Sequence, residues 1–226
     1  MEETFHADCG GPYELQDQHT VSCYEAEPTS GADLAVMAFL RARPEFYAGK
    51  RLLHVGVGNS EFPLAFVRGL GAYVGLTISL PELAQFQARL AGRPNAAAML
   101  MNKYDPDAYG KLTGDFDIIV DTLLKSMACC EKHFCGMMEF FAAKLRQGGA
   151  LVTTESGVLW GWRGNTLRGY TPGAQTAPSI AQHRVLGVDG LRLFAERLSL
   201  SMSSAEVAVP GADPPTSDRI FILKKT

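Results

Sequence analysis

Gly56-Val57-Gly58-Asn59-Ser60 is the stretch in which residue types and spacing point most directly to chemistry. It follows the apolar run Leu52-Leu53-His54-Val55 and precedes a helical pattern from Glu61 to Gly69. That order reads as a buried strand, a tight turn and a helix N-terminus. Glycine takes backbone angles that a Cβ forbids and lets a ligand approach the main chain. The helix start presents unpaired N–H groups and a partial positive charge, so a carboxylate or phosphate is its natural guest.

Other reactive side chains stand at the ends of further apolar runs. Asp121 closes Asp115-Phe116-Asp117-Ile118-Ile119-Val120, and Glu155 follows Ala150 to Thr154. Cys129-Cys130-Glu131-Lys132-His133-Phe134-Cys135 brings thiols and an imidazole onto one predicted helix. Cys129 and His133 share a face there. Strong zinc patterns instead place paired cysteines in turns with a second pair at a distance, so no metal site is expected. An irregular segment holds Trp160, Trp162, Arg163, Arg168, Tyr170 and His183. These residues suit stacking on a planar or anionic substrate, or anchoring their own loop.

The elements that must position these residues alternate regularly. Residues 1–28 read as a loose arm with one short helix. Pro28-Thr29-Ser30-Gly31 starts a helix with Thr29 or Ser30 as N-cap, and Pro44 ends it. Strands are expected over residues 51–57, 72–78, 97–101, 115–121 and 150–154. Between them lie helices from Glu61, from Pro81 and over Phe134 to Leu145, the last capped by Gly148-Gly149. A helix near residues 189–198 precedes two strands, 201–209 and 219–224, joined by Pro210-Gly211-Ala212-Asp213-Pro214-Pro215, which reads as an antiparallel hairpin. This rhythm predicts an α/β, Rossmann-like, doubly wound sheet of seven strands, mostly parallel with an antiparallel terminal strand. In such a sheet ligands bind outside the carboxyl ends of the strands. The expected organisation is one domain over 1–226: arm and helix 1–48, ligand-binding core 49–155, substrate-covering segment 156–188, and terminal helix and hairpin 189–226.

Composition narrows the class of partner. The 226 residues are 46% hydrophobic and 20% charged, ordinary for a soluble globular chain. The net charge of −3 advertises no nucleic-acid surface. No apolar run approaches the ~20 residues of a membrane helix. Five cysteines, odd in number and unevenly spaced, argue against a disulfide framework and for a reducing cytoplasm.

The Gly56–Ser60 stretch resembles motif I of the class I S-adenosylmethionine (SAM) methyltransferases, a strand followed by G-x-G-x-G/S. The resemblance covers roughly Gly49 to Thr226. It implies that SAM is the cofactor and that Gly56, Gly58 and Ser60 hold its methionine part. Val74-Gly75-Leu76-Thr77-Ile78-Ser79 resembles the second motif of the cyclopropane fatty acid synthase and mycolic acid methyltransferase group. Thr77 with Glu82 would there replace the usual acid that binds the ribose hydroxyls. Glu82 is equally placed to complement its helix dipole. By the same resemblance Asn102 faces the adenine ring, with Asp105 capping the turn before Pro106, and Asp121 lies beside the transferring methyl. Glu131-Lys132-His133, with Gly149 downstream, resembles the plant small-molecule O-methyltransferases and makes His133 the general base. Magnesium ligation by Asp121 and Glu155, as in the catechol type, lacks the usual asparagine.

The expected activity is methyl transfer to an oxygen or nitrogen of a small molecule, as in natural-product biosynthesis. Gly-Asn-Ser keeps a protein methyltransferase open, although no Asp/Asn-Pro-Pro-Tyr motif follows the fourth strand. Thr77 in place of an acid keeps open a SAM-fold protein that no longer methylates. A nicotinamide-dependent oxidoreductase fails on the missing third glycine and the missing acid. A homodimer is left open.

Overall fold

The structure, a computed structural model, describes residues 29–126, 131–159, 188–212 and 215–226, with only the backbone described at 131 and 132. The expected arm over 1–28, Cys129 and Cys130, and the residues from Trp160 to His183 lie outside the described residues. The described residues hold seven strands: β1 Arg51–Val55, β2 Ala72–Thr77, β3 Ala96–Leu100, β4 Phe116–Val120, β5 Leu145–Thr154, β6 Leu200–Ala208 and β7 Ser217–Lys225. They form one sheet in the order β3-β2-β1-β4-β5-β7-β6. The first five pair in parallel, and β7 runs antiparallel to both β5 and β6. The expected fold class is therefore the observed one.

The helices are α1 Gly31–Arg41, α2 Pro44–Tyr47, α3 Glu61–Phe66, α4 Leu80–Arg89, α5 Glu131–Lys144, α6 Glu155–Val158 and α7 Val188–Arg197. They cover both faces of the sheet. Phe39 and Leu40 of α1, Phe62 and Phe66 of α3 and Phe86 of α4 pack with Leu52, Val120 and Val152 on one side. Phe134, Met137 and Phe141 of α5 and Phe194 of α7 pack with Leu53, Ile119 and Leu151 on the other. Alternation along β1 sends Leu52 and Leu53 to opposite faces, as a strand covered on both sides requires. Each fully buried phenylalanine contributes roughly 1.5–3 kcal/mol.

Three local expectations need correction. Gly148-Gly149 does not cap α5; it lies inside β5. Leu145 already pairs with Phe116, and Ala150 next pairs with Ile118, so residues between them bulge out of the ladder. Gly148 takes φ +76°, and a Cβ on Gly149 would stand 3.1 Å from the carbonyl oxygens of Phe116 and Asp117. Pro44 does not only end α1; it opens α2 at a first-turn position. The first strand ends at Val55 rather than Val57, because Gly56 turns at φ +82° while its N–H still bonds the Leu76 carbonyl at 2.8 Å. A 3-10 turn over Pro106–Lys111, with Asp105 as its capping side chain, is an element that periodicity did not reveal.

Candidate functional site

The turn after β1 is built from left-handed residues. Gly56, Gly58 and Ser60 have φ of +82°, +48° and +65°. Open space surrounds the positions where Cβ atoms on Gly56 and Gly58 would stand. Ser60 is fully buried and its Oγ has no partner. Asn59 Oδ1 accepts from the Glu61 N–H at 3.1 Å and so caps α3. Arg89 of α4 bonds the Asn59 carbonyl and, at 2.6 Å, the Glu61 carboxylate. The Ser60 N–H bonds the Val57 carbonyl at 2.9 Å. The Ser60 and Glu61 amides are thus used within the turn.

Beneath this turn lies a polar pair that sequence reasoning gave no role. His54 Nδ1 meets the Tyr73 hydroxyl at 2.7 Å, and the imidazole stacks on Phe62 with centroids 4.2 Å apart. Its Nε2 has no partner. Burial holds the imidazole down to about 3, hence neutral. Gly75 of β2 supports the turn from below. A Cβ there would stand 2.4 Å from a Val57 methyl.

Strand β2 ends at Thr77, one residue short of the expected end at Ile78. Thr77 Oγ1 donates to Glu82 Oε2 at 2.5 Å and accepts from the Ser79 N–H at 3.0 Å. Ser79 caps α4. The Gly58 N–H reaches the same Glu82 carboxylate. The structure therefore brings Gly58, Thr77 and Glu82 together across the first two strand ends. Glu82 is buried, which raises its carboxyl despite the Thr77 and Gly58 bonds that lower it.

Asn102 is half-buried, and its Oδ1 accepts from the Tyr104 N–H at 3.0 Å. Asp121 is buried and bonded to Lys103, 2.8 Å away. Burial pushes the Asp121 carboxyl up and the Lys103 ammonium down, and each holds the other in its charged form against that pressure. Sequence reasoning passed over Lys103, because a lysine in a polar loop ordinarily reads as solvated. It also passed over Asp33. That carboxylate accepts from Ser30 Oγ at 2.7 Å and from Thr122 Oγ1 at 2.8 Å. Burial raises it, the Ser30 and Thr122 bonds lower it, and Asp121 nearby adds repulsion. Asp33, Glu82 and Asp121 thus share the carboxyl edge of the sheet.

His133 is half-buried in the first turn of α5. Glu155 is ion-paired with Arg219 at 3.2 Å. Among the described residues no group of three metal-ligating side chains converges. No described helix is long and apolar enough to cross a membrane.

No family model and no curated protein matches the sequence. Solved structures do match the fold. The N-methyltransferase NodS from Bradyrhizobium japonicum WM9 superposes with a TM-score of 0.57 at 12% identity, over 86% of this chain and 93% of that one. Magnesium protoporphyrin IX methyltransferase (ChlM) from Synechocystis PCC 6803, solved with bound SAM, gives 0.56 at 12% identity, over 92% and 94%. Precorrin 8w decarboxylase from Methanobacterium thermoautotrophicum gives 0.55 at 13% identity, over 88% and 92%. The order of the strands, the antiparallel β7 and these superpositions together identify the fold as that of the class I SAM-dependent methyltransferases.

Proposed function

We propose that the protein is a SAM-dependent methyltransferase acting on an oxygen or nitrogen of a small molecule, working in a reducing cytoplasm. The observation that carries this reading is the meeting of Gly58, Thr77 and Glu82. This buried carboxylate, bonded by Thr77 and Gly58, suits a ribose diol, and it lies beside a turn whose glycines leave open space. The unpartnered, buried Ser60 Oγ suits the methionine end of the same ligand. The net charge of −3 supports a small acceptor over a nucleic acid, and ChlM is by name a methyltransferase of magnesium protoporphyrin IX.

When bound, SAM supplies an electrophilic methyl group on a sulfonium. The chain's own residues do the rest. Gly56 and Gly58 admit the ligand to the main chain, Glu82 and Thr77 hold hydroxyls, and Asn102 offers its amide to a heterocycle edge. Much of the acceleration comes from holding the reactants at near-attack distance. A proton acceptor adds about 10²–10⁴-fold, and His133 and Asp121 are the two side chains the sequence offers for it.

Calorimetry with SAM and with its demethylated product, S-adenosylhomocysteine (SAH), tests the reading. Micromolar binding of both supports it, and binding of neither removes it. A second reading, a SAM-fold protein with another reaction, is favoured by one observation: a decarboxylase shares the fold. SAH binding without SAH release from SAM, across a panel of phenols and amines, selects that reading.

A further inference from the structure

One lysine gathers several groups of the turn that follows β4. Lys103 places its ammonium among Asp121 Oδ2 at 2.8 Å, the Leu124 carbonyl at 3.0 Å, the Leu123 carbonyl at 3.1 Å and Ser126 Oγ at 3.5 Å. Its neighbour Tyr104 donates its hydroxyl toward the Ser126 carbonyl at 2.7 Å and the Leu124 carbonyl at 3.3 Å. The Lys103 and Asp121 side chains are 7% and 2% exposed. Three acceptors within 3.1 Å match the three N–H donors of an ammonium, whereas a neutral amine has two. An ammonium in this place donates to all three, with ionised Asp121 as its counter-charge.

The same turn is locked from its other sides. Thr154 Oγ1 donates to the Thr122 carbonyl at 2.8 Å, and Thr122 Oγ1 donates to Asp33 at 2.8 Å. A Cβ on Gly157 of α6 would stand 2.1 Å from that Thr122 oxygen. The charged groups facing Asp121 are Lys103 from the loop after β3 and Asp33 from α1, with Glu82 of α4 facing Asp33 in turn. From β5 the Thr154 hydroxyl reaches the Thr122 carbonyl, and Glu155 beyond it is paired with Arg219.

We propose that Lys103 is a positioning residue that clasps Asp121 and residues 121–126 as one unit, so that Asp121 serves as a fixed carboxylate and not as the proton acceptor. The proposal rests on the methyltransferase reading, which makes this edge the reacting edge. For Asp121 to take a proton it must abandon a buried ion pair and leave an ammonium without its counter-charge, which is strongly unfavourable. The proton then falls to another group, and His133 is the imidazole at the start of the next helix.

Three measurements on the full chain test this. Nitrogen-15 NMR of the lysine side chains should show one solvent-protected ammonium, stable across the neutral range and missing in Lys103→Met. A neutral amine signal from Lys103 overturns the proposal. Lys103→Met should lose about tenfold or more in SAH affinity and lose exchange protection at the amides of residues 122–126. A folded variant with wild-type affinity and protection overturns it. Should Lys103→Met fail to fold, the double variant Lys103→Met, Asp121→Asn removes both charges together; the same losses are expected there, and wild-type values overturn the proposal. Asp121→Asn alone should keep the wild-type shape of the pH–rate profile; loss of its acidic limb makes Asp121 the base and overturns it. Failure of the wild type to bind SAH sinks the cofactor reading instead, while the ammonium signal and the exchange data still decide the clasp.

Discussion

Thr77 Oγ1 donates to Glu82 Oε2 at 2.5 Å, across the junction of β2 and α4. A threonine at the strand end thus presents an acid from the first turn of the following helix, five residues on. The carboxylate that a simpler site would carry on the strand itself is delivered from the helix.

Glu82→Ala is therefore expected to weaken SAH by roughly 1–3 kcal/mol, the loss of hydrogen bonds to a charged group. Burial raises the Glu82 carboxyl above its ordinary 4.5. The wild type should lose SAH affinity on acidification while the pH is still above 4.5, and Glu82→Gln should flatten that loss. For folding the sign is opposite: the native state holds this proton more tightly than the unfolded chain, so Glu82 costs stability as pH rises from 4.5 through its raised value. Calorimetry at a series of pH values checks the first claim. Wild-type affinity in Glu82→Ala would leave Glu82 as a helix-dipole residue only.

Gly58→Val should abolish SAH binding and leave the fold in place. Gly58 has φ +48° with open space where a side chain would project. A β-branched residue pays roughly 1–2 kcal/mol in that left-handed region and fills the space a ligand needs. A folded variant with unchanged affinity removes the claim that this turn is the ligand cradle.

His133→Ala should lose on the order of 10²-fold in turnover, measured as SAH released with an accepted substrate, and keep its SAH affinity. Undiminished turnover would mean that the acceptor arrives deprotonated and that positioning suffices.

His54 sets an acid limit on stability. The unfolded chain takes up its proton near 6.5, but the buried imidazole does so only at about 3. Its contribution is complete above 6.5 and falls by about 1.4 kcal/mol per pH unit below it. His54→Phe should be less stable at neutral pH, because the Tyr73 hydroxyl loses its partner. It should also lose about 2 kcal/mol less than wild type between neutrality and about pH 5. Urea unfolding of both proteins at the two pH values decides; parallel losses refute the assignment.

The sheet was legible because period and punctuation agree. Leu52 to Val55 is apolar and stops at a glycine that turns. Ser30 was readable as a cap, and its Oγ does accept from the Asp33 N–H at 3.1 Å. Gly148-Gly149 misled because glycine after a helix usually ends it, whereas here pairing of Leu145 with Phe116 had already begun. The candidate site was legible where contacts are local, as between Thr77 and Glu82. It was opaque where they are long-range. Lys103 to Asp121 and Asp33 to Thr122 join residues from different crossovers, and no local pattern marks either pair. The signal that exists is indirect: an acid at the end of a buried β-branched strand needs a counter-charge, here brought from beyond the end of β3, which β2 and β1 separate from β4 in the sheet.

Gly75, in the middle of β2, has no room for a single methyl group, because Val57 stands 2.4 Å from where it would be. An alanine there would lift Val57, and the turn from Gly56 to Ser60 would move with it. The predicted phenotype is conditional: a chain that folds when cool, has a lowered melting temperature, and fails in ligand capture before it fails in folding. Position 75 would then yield temperature-sensitive alleles, with the lesion in the middle of a strand and the defect at its neighbour's tip.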